Sequence, residues 1–298
     1  MARRKGNDVH GILLLDKPHG LTSNRALQIT RRLFNARKAG HTGSLDPIAT
    51  GLLPLCFGEA TKVSQYLLAS PKRYLAGIRF GVSTTTGDTE GDVVALTDCT
   101  VTKKQVQQAL ESFQGEILQT PPMYSALKHQ GQPLYKLARQ GIEVERQARP
   151  VSVYTSKIVS LNDNLLMLDL SVSSGFYVRS LACDMGQMLG CGGHMETLRR
   201  VAVAGFDIES SVTLDQLDSL AERERLKLLM PADQGISFLP PVELSVDAAY
   251  YLVQGQAVKV ASAPGSGLVR LYDKDRRFIG IGRILDDGRV APKRLLAA

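Results

Sequence analysis

The chain has 298 residues, 44% of them apolar, and its 36 Lys and Arg against 29 Asp and Glu leave a formal charge of +7. Such a length holds about two domains and a sizeable core, and the basic balance favours a polyanion such as nucleic acid as partner. The longest early apolar run, residues 11–15, is too short for a membrane span or a signal-peptide core, and four scattered cysteines (Cys56, Cys99, Cys183, Cys191) point to reduced thiols in a cytoplasmic protein, not to a disulfide framework.

Residues 11–15 read as a short buried strand, preceded by a basic arm, Met1-Ala2-Arg3-Arg4-Lys5, suited to RNA contact or to solvent. Thr22 or Ser23 can N-cap a helix over 24–34, and Arg25, Arg31, Arg32, Arg37 and Lys38 give that region a positive face. A Gly-rich loop runs from Gly40 to Gly51. Residues 59–68 read as a helix and 74–80 as a strand with Tyr74, Ala76, Ile78 and Phe80 on one face. Residues 81–92 read as a polar, solvated loop. Residues 103–113 form an amphipathic helix with Val106, Ala109, Leu110 and Phe113 at core spacing. The stretch 119–149 is basic and punctuated by Pro and Gly, a long surface excursion with a short helix near 134–139. Strands follow at 151–159 and 165–172, the second with Leu166, Leu168, Leu170 and Val172 on one face. A helix over 178–189 ends at Gly190, a strand is expected at 198–206, and Thr213 with Gln216 makes a capping box. Pro240-Pro241 marks a boundary between residues 1–240 and 241–298. Beyond it lie short strands at 267–272, 278–284 and near Val290, with Asp287-Gly288 as a hairpin turn.

The Gly-rich loop lacks both the P-loop lysine and the dinucleotide fingerprint. It offers one acid, Asp46, steered toward an extended shape by Pro47 and flanked by Gly40, Gly43 and Gly51, which permit tight turns. From spacing alone Asp46-Pro47 is a surface turn before it is a site. Asp88, Glu90 and Asp92 alternate as in a calcium loop, but its sixth and twelfth positions hold Val93 and Cys99, where Gly and Glu are needed. Cys183, Cys191 and His194 do not make the paired four-ligand set of structural zinc.

Residues 40–54, Gly-His-Thr-Gly-Ser-Leu-Asp-Pro-Ile-Ala-Thr-Gly-Leu-Leu-Pro, resemble the catalytic-aspartate motif of the TruB family, the bacterial tRNA pseudouridine-55 synthases. Four further stretches match in order: Leu14-Leu15-Asp16-Lys17-Pro18 with Gly20 and Thr22-Ser23; Lys72-Arg73-Tyr74; Pro122 to Lys128; and Gly175-Phe176-Tyr177-Val178-Arg179 with Leu198-Arg199-Arg200. Ser44 stands where the family commonly has alanine and Phe176 where it commonly has threonine, and neither change removes a reactive group.

The resemblance implies an α+β fold: a mixed, largely antiparallel central sheet with flanking helices, then a small β-rich PUA-like C-terminal domain. It implies isomerisation of a T-loop uridine of tRNA, with no cofactor and no metal. Asp46 would be the nucleophile, attacking the sugar or removing a ribose proton. Arg179 would keep Asp46 ionised. Tyr74 and Tyr177 would contact the base, Leu198 would close the apolar side of the pocket, and His41 would fill the space left in the RNA. The insertion at 119–149 would clamp the T arm, and the C-terminal domain would hold the acceptor stem. No membrane and no obligate protein partner is implied, and a monomer is expected. A non-catalytic RNA-binding or RNA-folding protein on the same scaffold could dispense with Asp46, Tyr74 and Arg179.

Overall fold

A computed structural model describes residues 6–296, so the basic arm at 1–5 lies outside the described residues. Seven strands form the body of the central sheet: β1 (Gly11–Lys17), β2 (Thr50–Phe57), β3 (Lys72–Phe80), β4 (Gly115–Gln119), β5 (Arg149–Asn162), β6 (Leu165–Val172) and β7 (Gly193–Val203). Their lateral order is β1-β2-β7-β3-β6-β5-β4, and two short strands, Ala39–His41 on β2 and Phe206–Asp207 on β7, bring the sheet to nine. Neighbours run antiparallel except β2 and β7, which are parallel through Arg199 opposite Thr50 and Arg200 opposite Gly51. The expected fold class holds.

The pleat explains how the sheet is buried. Leu166, Leu168, Leu170 and Val172 of β6 share a core with Ala76, Ile78 and Phe80 of β3, as their period of two requires. Three helices pack on the sheet: α1 (Ser23–Leu33), α2 (Lys103–Glu111) and α3 (Val178–Met188). Helices α2 and α3 cover that core with Val106, Leu110, Leu181 and Met185. Strand β1 is buried on both faces, which is why it reads as an unbroken apolar run. Leu13 and Leu15 pack under α1 with Ala26 and Leu27, whereas Ile12 and Leu14 enter a third cluster.

Several boundaries differ from expectation. The helix expected at 59–68 is a 3-10 turn, Gly58–Lys62, and a separate helix, Ser64–Ala69, joined at Val63. The strand expected at 198–206 begins five residues earlier, at Gly193, where it already pairs with Phe80. Strand β2 occupies the end of what reads as loop. Pro54 sits inside it without breaking the ladder. Its carbonyl accepts from Thr42 N at 3.1 Å, so its nitrogen faces the same edge, between the pairing with β7 and the pairing with Ala39–His41.

The C-terminal segment forms a second sheet, β8 (Pro241–Glu243), β9 (Leu268–Tyr272), β10 (Phe278–Ile284) and β11 (Val290–Leu295), in that order. Gly288, with φ +77°, supplies the turn between β10 and β11. Ile281 of this sheet belongs to the same buried cluster as Ile12, Leu14 and Leu52. Polar ties reinforce the contact: Lys62 Nζ donates to Leu295 O at 2.8 Å and Tyr272 OH to Asp233 Oδ2 at 2.7 Å. Among the described residues no helix is long and apolar enough to cross a membrane.

Candidate active site

The loop carrying Asp46 is fixed where β2 and β7 run parallel. Gly51 has φ +103°, and a Cβ there would lie 2.3 Å from Arg200 O, so only glycine lets the two backbones approach. The Arg200 side chain is buried and ties the loop to the strand, donating from Nε to Leu52 O at 2.7 Å and from Nη2 to Gly43 O at 3.1 Å. Ser23, at the start of α1, accepts from Leu45 N at 2.7 Å and donates to Leu45 O at 3.0 Å. Lys17 is fully buried and donates to Pro18 O, Leu21 O and Pro47 O at 2.8, 2.7 and 3.4 Å. Burial pulls its ammonium down to about 8, against the pull of the Asp46 carboxylate. Asp46 O accepts from Ala49 N at 3.1 Å. The Asp-Pro turn and the site are therefore one structure.

Arg179, on the first turn of α3, meets Asp46 there. Its Nη2 is 3.0 Å from Asp46 Oδ2, and its Nε is 3.5 Å from Asp88 Oδ2. The Asp46 side chain is 39% exposed to the cleft, but those of Arg179 and Asp88 are only 7% and 3% exposed. Burial pushes the Asp46 carboxyl above its ordinary range; Arg179 opposes that shift and Asp88 adds to it. One guanidinium thus serves two carboxylates, and the partly open one is Asp46.

Asp88 corrects the expectation of a solvated loop at 81–92. The segment folds back on itself: Asp88 Oδ1 accepts from the Thr86 hydroxyl and from Glu90 N at 3.1 Å, leaving Oδ2 for Arg179. A buried carboxylate needs such partners. The alternating acids looked uniformly solvated because nothing local reveals which of them meets an arginine about ninety positions away.

The cleft has a volume of about 790 Å3, within the usual range for ligand pockets. Asp46, Tyr74, Asp88, Tyr177, Arg179 and Leu198 all line it. Tyr74 comes from β3 and Leu198 from β7, which pair side by side with Arg200 opposite Tyr74 and Leu198 opposite Ala76. Tyr177 is the N-cap of α3, and burial pushes its hydroxyl pKa up. His41 is not among the cleft residues. It ends the short strand Ala39–His41, opposite Leu55. Its ring Nδ1 is buried without a hydrogen-bond partner, and burial holds the ring pKa below the usual value. The structure therefore gathers Asp46, Tyr74, Tyr177, Arg179 and Leu198, adds Asp88, and leaves His41 outside.

Known families match along nearly the whole chain. Residues 31–178 match the TruB family pseudouridylate synthase N-terminal domain, 179–237 the tRNA pseudouridylate synthase B C-terminal domain, and 240–296 the pseudouridine synthase II TruB C-terminal domain. The tRNA pseudouridine synthase B of Aeromonas salmonicida (strain A449) is 51% identical over 310 residues, covering 99% of this chain and 97% of that protein. Its counterpart in Yersinia pestis (strain Pestoides F) is 50% identical over 305 residues, covering 99% and 94%. Among solved structures, a chain of an H/ACA RNP bound to a substrate RNA containing 2'-deoxyuridine superposes with a TM-score of 0.74 at 23% identity, covering 97% of this chain and 86% of that one, which shows a common fold. The chain belongs to the TruB family of pseudouridylate synthases.

Proposed function

We propose that the protein converts one T-loop uridine of tRNA, position 55, to pseudouridine, with Asp46 as the reacting carboxylate. The bond from ribose C1' to uracil N1 breaks, the base turns, and C1' bonds to C5. The C5 proton leaves and N1 gains one, so atoms balance without oxidant or group donor. A single observation carries this reading: the partly open Asp46 carboxylate, charge-paired with Arg179 at 3.0 Å, in a cleft it shares with Tyr74.

The target base is extruded into the cleft at a cost of about a few kcal/mol, offset by stacking and hydrogen bonding. Tyr74 stacks on the uracil, Tyr177 contacts its edge and Leu198 closes the apolar side. His41, outside the cleft, occupies the gap in the RNA. Arg179, itself anchored by Asp88, holds the Asp46 carboxylate through Oδ2, leaving Oδ1 for the sugar. Residues 1–240 act as the catalytic unit, the insertion at 119–149 clamps the T arm, and 241–298 hold the acceptor stem of a tRNA bound by one copy of the chain. Contacts to phosphates make affinity fall with salt.

The test is incubation with an unmodified tRNA transcript and mapping of pseudouridine by position. Pseudouridine confined to the T loop is expected. No product, or product elsewhere, overturns the assignment.

A further inference from the structure

The root of the insertion and the first turn of α3 are joined by a row of polar contacts that runs from outside the cleft to Arg179 within it. Gln119 is the last residue of β4 and lies opposite Arg149 of β5, so it stands at the neck where the insertion leaves and rejoins the sheet. Its side chain is buried and turns away from that ladder toward α3. Nε2 donates to Tyr177 O at 3.0 Å, and Oε1 accepts from Tyr177 N at 2.7 Å. Tyr177 is the N-cap of α3 and makes no side-chain cap hydrogen bond; the Gln119 carboxamide grips that cap residue's own N–H and C=O from outside the helix. Two more bonds follow along the same turn. Ser180 Oγ donates to Thr120 O at 3.0 Å, and Arg179 Nη2 donates to Tyr124 O at 2.7 Å. That Nη2 is the atom 3.0 Å from Asp46 Oδ2.

We infer that Gln119 is a positioning residue for the reaction: it locks the neck of the insertion to the start of α3, and thereby sets Tyr177 and Arg179 against Asp46. The inference rests on the function proposed above. Gln119 does not line the cleft, so it acts through Tyr177 and Arg179 and not on the RNA. A carboxamide suits the task because it presents one donor and one acceptor to the N–H and C=O of a single residue. Glutamate keeps the acceptor and loses the donor; leucine loses both. Displacement of reacting groups by about 1 Å costs roughly 100-fold in rate, so a small movement of α3 is enough to matter.

The experiment compares wild type, Gln119→Leu, Gln119→Glu and Ser180→Ala with an unmodified tRNA transcript. Single-turnover rates at saturating enzyme are expected to fall about 10- to 100-fold in Gln119→Leu, less in Gln119→Glu and least in Ser180→Ala, with tRNA affinity unchanged. The acid limb of the rate–pH profile should move to higher pH, because a loosened Arg179 no longer offsets the desolvation and the Asp88 charge that raise Asp46. Wild-type rates and an unmoved acid limb overturn the inference, even if melting temperatures fall; so does slowing that vanishes at saturation. If Gln119→Leu does not fold, the other two variants decide on the same criteria. A wild type inert on tRNA overturns the proposed function instead. The lock is then judged by amide hydrogen exchange over 177–181, where acceleration in the Gln119 variants supports it and unchanged protection overturns it.

Discussion

The two walls of the cleft are built differently. On one side the Asp46 loop is pinned by Ser23, Lys17 and Arg200, all buried and all spent on backbone groups of the loop or its neighbours. On the other side most of the residues in 119–149 are exposed or half-buried, and the insertion grips α3 only near its root. A wall that must hold a reacting carboxylate gains from fixed geometry. A wall that must admit a folded RNA gains from few attachments. Under the proposed function, chemistry and capture fall to different sides, and substitutions on each should move different observables.

Asp46→Asn is the severest test of the fixed wall. Pseudouridine formation should drop by at least about 10,000-fold, as for other lost nucleophiles, while tRNA still binds. Its stability should move the other way. The Asp46 pKa lies above its ordinary 3.8 in the folded chain, so ionised Asp46 opposes folding. That opposition grows as pH rises from the ordinary 3.8 and is complete once pH has passed the raised pKa. The variant should therefore melt no lower than wild type at pH 7, and a clear drop would show that the ionised carboxylate holds the loop together. Gly51→Ala comes next. The added methyl meets Arg200 O in a backbone conformation with φ +103°, and the loss should exceed about 3 kcal/mol in denaturant unfolding. A variant of wild-type stability would mean that the parallel junction can open without cost.

Asp88→Asn separates the two charges that share Arg179. The maximal rate should fall about 100-fold as Arg179 loses one anchor. Removing the negative charge that raises Asp46 should move the acid limb of the rate–pH profile to lower pH. A limb moved to higher pH instead would mean that the loosening of Arg179 outweighs the lost charge and that Asp88 serves as a structural anchor.

What sequence made legible on each wall follows from how far its physics is local. Periods of two placed β3 and β6, and the Thr22 cap marked the start of α1, where its side chain accepts from Arg25 N at 3.1 Å. The motif match brought Asp46, Tyr74, Tyr177, Arg179 and Leu198 to one cleft. Strand β2 was hidden because Gly51 and Pro54 both argue against a strand, and each is tolerated only through a neighbour far along the chain: Arg200 for the first, a change of partner strand for the second. Asp88 was hidden because its partner is Arg179, and Gln119 because its hydrogen bonds reach Tyr177. In each case the decisive contact is tertiary, and no local period or spacing encodes it.

The smallest expected effect belongs to the loose wall. Arg139 lines the cleft from the insertion, exposed, with its guanidinium 5.8 Å from the centre of the Tyr135 ring. No carboxylate pairs with it among the ion pairs of the described residues. A free cation at the rim suits a phosphate, so Arg139→Ala should weaken tRNA binding several-fold and lower the salt slope of log affinity by about one. Its single-turnover rate at saturation should equal wild type, because the insertion's hold on α3 runs through Gln119, Thr120 and Tyr124, not through Arg139. Titration at several salt concentrations beside saturating single-turnover kinetics reads both quantities. Should the rate fall while affinity and salt slope stay put, the insertion would be acting on the chemistry directly, and the division between a wall that reacts and a wall that captures would not stand.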